Sequence, residues 1–420
     1  MSYIDYPNGV KLDVEEMPEL NTATICIDLV GGVQGEAQLH NGMCEMIARL
    51  LMCGTTNHPS PALILDEAKN NGLVVSVTAK MEFLEIKINC LKNKVNEAIE
   101  FSSEILFTSL FEEKYISLLK KQLQSEAALS RMNPNTFLSA LTNQSMFART
   151  GLANVKCGNV KSVERISREK LLEQFARYIS PKNISIAIGG AVNSEEVIEK
   201  IGNLFYTSRP EEVYKQIKFV SKVKNADGFV NIKKRKFNQS RVDIAFPSYS
   251  YKDDEALIMP VIGEIVETRI KQALNDENYF KSIDVKNIVY ANNGKFVLSI
   301  AVDGENAERF IEQVLRTLQE IKNNSLIISQ TFEAEKQAYL TKFVKTYEEE
   351  ENLTVKCAEM LTIVKFPFNL SDAFDFISSF DAKGAVECYN KVINFSKINI
   401  AYLGEPIALE FLGSFISENM

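Results

Sequence analysis

The stretch NGMCEMIARLLMCGTT, Asn41 to Thr56, decides how this chain is read. Wound as a helix at about 100° per residue, it gathers Met43, Met46, Ile47, Leu50 and Leu51 on one side. Glu45, Ala48, Arg49 and Met52 gather opposite. The first side is built to pack on a core, and the second presents a carboxylate, a methyl group and a guanidinium to something else.

Working outward, residues 21–30 alternate enough to be a strand, with Ile25, Ile27 and Leu29 against Cys26 and Asp28, and Gly31-Gly32 ends it. After the opening helix, residues 59–71 read as a second helix stopped by Gly72. Residues 73–78 and 83–89 read as a strand pair, followed by a helix over 93–106. Residues 112–129 are helical again, and Asn133-Pro134 closes that run before a helix over 135–146. Ser167 caps a helix through Tyr178, and Pro181 leads into a strand over 184–188 stopped by Gly189-Gly190.

The second half repeats this order. A strand over 241–247 and a helix over 254–274 answer the first strand and helix. Residues 296–302 and 306–321 answer 83–89 and 93–106, while 382–392 and 398–403, ending at Gly404, answer 167–190. Order, lengths and stops all recur, so a duplicated α+β domain is the economical reading. The join falls between Ser208 and Val230, where Arg209-Pro210 and alternating lysines make a polar connector. This predicts an N-terminal domain over 1–210 and a homologous C-terminal domain over 211–420.

The chain has 420 residues, enough for two domains with sizeable cores. Hydrophobic residues make up 45% and charged residues 24%, with no twenty-residue apolar run, so neither a membrane span nor disorder is expected. A net charge of -8 argues against broad binding to nucleic acid or an anionic membrane. The start, MSYIDYPNGV, has neither a basic amphipathic presequence nor an apolar signal segment, so the expected address is cytoplasmic. Seven scattered cysteines without a C-x-x-C pair read as reduced, mostly buried thiols. The two histidines, His40 and His58, flank the helix without metal-ligand spacing.

In this frame, Asn41–Thr56 resembles the metal-binding helix of the insulinase/pitrilysin family, which includes the mitochondrial processing peptidases. That family reads roughly G-L-x-H-F-L-E-H-x-L-F-x-G-T, and Gly42, Leu50, Met52, Gly54 and Thr55 keep its frame. Register puts Glu45 where the first histidine belongs, Ala48 where the water-activating glutamate belongs, and Arg49 where the second histidine belongs. The resemblance implies a third ligand on a later helix before an Asn-Pro, where Glu126 precedes Asn133-Pro134. One ligand of three is too few, and a guanidinium beside the ion would oppose it. No metal is therefore expected at this site, and no hydrolysis by it. Instead Arg49 is expected to supply the positive charge, pairing with Glu45 one turn earlier and with Glu126 across a helix contact. A second family landmark, S-R-L-x-x-x-L-R-x-x-x-G-L-x-Y, matches Thr268-Arg269-Ile270 and Leu274. Here Asn275 takes the substrate-holding arginine position and Ser282 the tyrosine position, with Tyr279 out of register.

Other signals have plainer readings. Gly31-Gly32-Val33-Gln34-Gly35 lacks the lysine of a phosphate loop and reads as a turn after a strand. His40 and Cys44 share i,i+4 spacing, with nothing to activate the thiol. Ile232-Lys233-Lys234-Arg235-Lys236 reads as a strand edge guarded by lysines, and Glu348–Glu351 as a solvated helix end or loop.

By resemblance, the fold is α+β, with two tandem homologous domains, each an antiparallel-dominated sheet packed with helices, forming half of a clamshell. The implied role is the inactive subunit of a two-chain zinc peptidase, with no cofactor of its own. A zinc-bearing homologous subunit would be the partner and a peptide the substrate. The alternative is a structural or peptide-binding subunit, homodimeric or in a larger complex.

Overall fold

The computed structural model describes residues 2–207, 216–223, 229–234, 239–274, 280–303, 306–405 and 414–415. Its strands are β1 (Ser2–Asp5), β2 (Lys11–Glu16), β3 (Thr22–Val30), β4 (Val74–Ala79), β5 (Phe83–Leu91), β6 (Ile184–Gly190), β7 (Phe229–Lys234), β8 (Ser240–Pro247), β9 (Phe280–Val289), β10 (Gly294–Val302) and β11 (Asn399–Gly404). Its helices begin with α1 (Met43–Leu50), α2 (Pro61–Asn70), α3 (Val95–Phe107), α4 (Glu113–Met132), α5 (Pro134–Met146), α6 (Val160–Glu164), α7 (Arg168–Tyr178) and α8 (Ser194–Ile201). They continue with α9 (Met259–Ala273), α10 (Ala307–Asn323), α11 (Leu326–Tyr347), α12 (Glu350–Ile363), α13 (Leu370–Ser379) and α14 (Ala382–Val392).

Two sheets organise the chain. The first has the order β1-β2-β6-β3-β5-β4, in which β2 and β6 run parallel and every other pair antiparallel. The second has the order β7-β11-β8-β10-β9, again with one parallel pair, β7 and β11. Strands β2-β6-β3-β5-β4 therefore recur as β7-β11-β8-β10-β9, which is the duplication expected from the repeated element order. Sequence patterning gave no element to residues 2–16, where β1 and β2 form a hairpin, nor to 326–363, where α11 and α12 lie.

Packing divides the chain into two units. The first comprises residues 1–129, 154–219 and 345–368, and the second comprises 130–153, 220–344 and 369–420. Each half of the sequence thus lends one helix to the other half's sheet. In the second unit Leu138 and Leu141 of α5 pack on Ala401 and Leu403 of β11, and Thr142 Oγ1 donates to the buried Asp243 Oδ2 at 2.6 Å. In the first unit Thr362 Oγ1 of α12 faces the buried Asp28 Oδ2 at 3.5 Å. Asp28 lies opposite Glu85 in β5, and Asp243 opposite Ser299 in β10, so the repeat reaches individual side chains. A cut near residue 210 and the division by packing consequently run along different lines.

The lent helix also explains why β3 is covered on both faces. From Ala23 onward every residue of β3 is buried, including Thr24, Cys26 and Asp28 on the polar face. The acidic run Glu348–Glu351 is correspondingly not only a solvated end. Glu351 is ion-paired with Lys87, and its Oε2 accepts from Asn89 Nδ2 at 2.8 Å, which fixes the start of α12 to β5. Seven free cysteines are present, five of them buried. No described helix is long and apolar enough to cross a membrane.

Candidate functional site

Helix α1 is shorter than the sequence pattern suggests, eight residues rather than sixteen, and is preceded by a turn at Gln38–His40. Its apolar side packs as expected, with Met46, Ile47, Leu50 and Leu51 fully buried. The opposite side is not open. Glu45 is 8% exposed and Ala48 only 2%, leaving Arg49 and Met52 as the partly exposed members.

Residues 154–158 lie over Glu45. Asn154 Nδ2 donates to the carbonyls of Val33 and Glu36, each at 3.0 Å, and Asn41 Oδ1 accepts the Val155 N–H at 3.0 Å. Gly158 has φ +63°, and a Cβ there would sit 2.1 Å from the Asn41 carbonyl oxygen. Only glycine permits that approach. The loop then places Lys156 Nζ 3.4 Å from Glu45 Oε2, and the Cys157 thiol 4.0 Å from Glu126 Oε2.

Arg49 occupies the centre. Its Nη1 and Nη2 donate to Glu126 Oε1 and Oε2 at 2.8 and 2.7 Å, a two-pronged pair reaching α4. Its Nε and Nη2 donate to Glu45 Oε1 at 2.9 and 2.8 Å. The hydrogen bonds from Arg49 hold the Glu126 carboxyl below its ordinary value. Reciprocally, Glu126 first and then Glu45 raise the guanidinium's affinity for its proton, against the opposing effect of burial.

Glu36 is a participant that motif reading missed. Gly42, the N-cap of α1, has no side chain to cap with. The buried Glu36 carboxylate takes over, accepting from the N–H groups of Gly42 at 2.8 Å and Cys44 at 2.5 Å, and from Asn41 Nδ2 at 2.6 Å. Burial pushes the Glu36 carboxyl up to about 7, with these donors opposing the rise. A glycine N-cap with an acidic residue shortly upstream was the available cue. Burial likewise pushes the Cys44 thiol well above its ordinary range, which agrees with an inert packing thiol.

This donor set does not fit zinc. The family's chemistry would need imidazoles at 45 and 49 and a carboxylate base at 48. Here both Glu126 oxygens are engaged by a permanently charged guanidinium, and Ala48 can neither accept nor deliver a proton. The arrangement can shape and charge a wall, but it contains no group placed to activate water.

Of the second pair of candidate positions, Asn275 lies outside the described residues, as does Tyr279. Ser282 is exposed on β9, opposite Ala301, and lines a polar groove of about 450 Å³ with Arg241, Asp243 and Lys295. Arg269, which marks the same segment, pairs with Glu320. His58, outside the site, bonds through Nδ1 to Glu104 at 2.8 Å.

Residues 14–157 match the family described as Insulinase (Peptidase family M16), and residues 165–339 match the family described as Peptidase M16 inactive domain. Mitochondrial-processing peptidase subunit beta of Dictyostelium discoideum is 24% identical over 212 residues, 50% of this chain and 45% of that protein. Non-peptidase homolog YmxG of Helicobacter pylori is 26% identical over 176 residues, 41% of this chain and 39% of that protein. The chain thus spans less than half the length of these relatives. Among solved structures, a peptidase M16 inactive domain from Pseudomonas fluorescens superposes with a TM-score of 0.88 at 14% identity, covering 97% of this chain and 98% of that one. A protease from Helicobacter pylori also gives 0.88, at 13% identity, over 96% and 99% of the two chains. At those identities the likeness is one of fold.

Proposed function

With the chain belonging to the insulinase family as an inactive homologue, we propose that it serves as the non-catalytic subunit of a two-chain zinc peptidase in the cytoplasm. In this reading a homologous partner holds the zinc and hydrolyses the peptide, while this chain contributes wall and binding surface. The observation that carries it is the guanidinium of Arg49, which fills the ligand positions of α1 and engages the one surviving acidic ligand, Glu126. In this reading a site so occupied has given up its chemistry, as expected of a subunit retained for assembly.

Peptide would add as a strand along β4, the edge of the first sheet, where Val74 is 68% exposed. The similarity to a mitochondrial-processing peptidase subunit supports a paired assembly. The test is to purify the full chain alone and together with homologues from the same source that carry an intact H-x-x-E-H, and to assay peptide cleavage. Cleavage is expected only from the mixture, with co-elution of the two chains. Chelator-sensitive cleavage by this chain alone would overturn the proposal. A homodimer that ignores every zinc-bearing homologue would replace it with a structural subunit.

A further inference from the structure

A second group of potential ligands lies in the first unit, away from Arg49, in the layer beneath α12. Asp13 and Glu15 are two residues apart on β2 and so point to the same face of the sheet. Helix α12 crosses that face closely. Gly189, the register partner of Glu15 in β6, permits this, since a Cβ there would lie 2.1 Å from Thr354 Oγ1. Cys357, one turn further along α12, then brings its sulfur within 4.8 Å of a carboxylate oxygen of both Asp13 and Glu15.

Asp13 is what makes this cluster more than a coincidence of acidic residues. Its exposure is 0%, and neither carboxylate oxygen meets a donor at good hydrogen-bond geometry among the described residues, the Cys357 thiol being its side-chain neighbour. A carboxyl group so poorly satisfied is costly to bury, and such a group calls for an ion or a water. Cys357 is 1% exposed, whereas Glu15 is only partly buried and opens a way in from solvent. The neighbouring group Cys26, Asp28 and Glu85 is a weaker case, because Asp28 already accepts from Thr362 and Glu85 pairs with Lys80 at 3.5 Å.

We propose that Asp13, Glu15 and Cys357 form a structural site for a divalent transition-metal ion of the zinc class, which fastens α12 to β2. One sulfur and two carboxylate oxygens, with water as the fourth ligand, suit a tetrahedral ion of borderline softness. Calcium and magnesium require six or more oxygens and gain nothing from a thiolate. At ordinary zinc–ligand lengths the donors would stand about 3.6 Å apart, so small side-chain rotations complete the site. On binding, the S–H bond of Cys357 is replaced by a sulfur–metal bond and its proton passes to solvent. This site is separate from the degenerate one at Glu45, Arg49 and Glu126, and it implies no peptidase activity.

The test uses the full chain, stripped with a chelator and titrated first with Co²⁺ and then with Zn²⁺. The expected result is one Co²⁺ per chain with a thiolate-to-cobalt charge-transfer absorption, displaced by Zn²⁺, and release of about one proton. Cys357→Ser should abolish the absorption and Asp13→Asn should weaken binding at least tenfold, while Cys388→Ser keeps both. Far-ultraviolet circular dichroism checks that each variant is folded. If a variant fails to fold, X-ray absorption on the zinc-loaded wild type decides, one sulfur with oxygens around the ion being expected. Absence of a sulfur ligand, absence of stoichiometric uptake, or uptake unchanged in both Asp13→Asn and Cys357→Ser would each overturn the proposal.

Discussion

Arg49 and Glu126 lie 77 residues apart and meet through two parallel hydrogen bonds, 2.8 and 2.7 Å long, from α1 to α4. The pair is partly exposed, at 29% and 41% of the side chains, whereas Glu45 on the other side of the guanidinium is at 10%. Arg49→Ala would strand Glu45 in a nearly dry position with only Lys156 near it. The expected loss is about 2 kcal/mol in urea denaturation, below that of a fully buried pair because solvent screens one side. Arg49→Lys should lose about half as much, since an ammonium cannot make the two-pronged contact. A loss under about 0.5 kcal/mol for Arg49→Ala would make the contact incidental.

Restoring the lost ligands provides a second test. Glu45→His, Ala48→Glu and Arg49→His together recreate H-x-x-E-H on α1, with Glu126 released to act as third ligand. The triple variant should bind one equivalent of zinc more than the wild type in equilibrium dialysis, and Glu126→Gln should remove that extra equivalent. No additional zinc in the folded variant would mean that the frame around α1 no longer holds ligand geometry.

Glu36 gives a pH dependence with a defined sign. Its carboxyl is raised from 4.5 to about 7 by burial, so the folded chain binds this proton more tightly than the unfolded chain does. The associated stability is fully present below pH 4.5 and is lost as pH rises through about 7. The size is on the order of 3 kcal/mol at most. Glu36→Gln should remove that slope, so unfolding curves between pH 4.5 and 7.5 should converge on or cross those of the wild type as pH rises. Parallel profiles would show that the helix-capping donors already cancel the burial effect.

The approach of α12 to the first sheet can be tested at one glycine. Gly189→Ala would drive a methyl group into Thr354 Oγ1, and a loss of about 2 kcal/mol is expected. Thr354→Ala removes the obstructing oxygen, so the double variant should recover much of the loss in a thermal-unfolding cycle. Strictly additive effects would mean that the helix moves aside freely.

Part of the α1 site could be read from local spacing. Glu45 and Arg49 stand at i and i+4, one helical turn apart, which periodicity alone shows, whereas Glu126 was singled out by the resemblance, from its place shortly before Asn133-Pro134. The covering of Glu45 could not be read in either way, because Lys156 in the segment Asn154 to Gly158 comes from more than a hundred residues away. The same limit hid α12. Its Glu351 reads as solvated until Lys87, 264 residues earlier in the chain, is placed beside it. A cue was nonetheless present in β3, where Thr24, Cys26 and Asp28 form a polar face unsuited to packing on an oily helix yet too sparsely charged for open water. The duplication was legible for the opposite reason, because each repeat carries its own local stops.

The crosswise delivery of α5 and α12 has a consequence for how the molecule is made. The strands of the first sheet have all left the ribosome once Gly190 is clear, but the helix that roofs them ends only at Ile363. At roughly 5–20 residues per second the nascent sheet waits on the order of ten to thirty seconds with Asp13, Cys26 and Asp28 unroofed. The N-terminal half therefore cannot mature ahead of the rest, as domains in tandem usually do. Synthesis of the last third becomes the step that commits both halves together, and a chain stalled before it would present chaperones with an unfinished face.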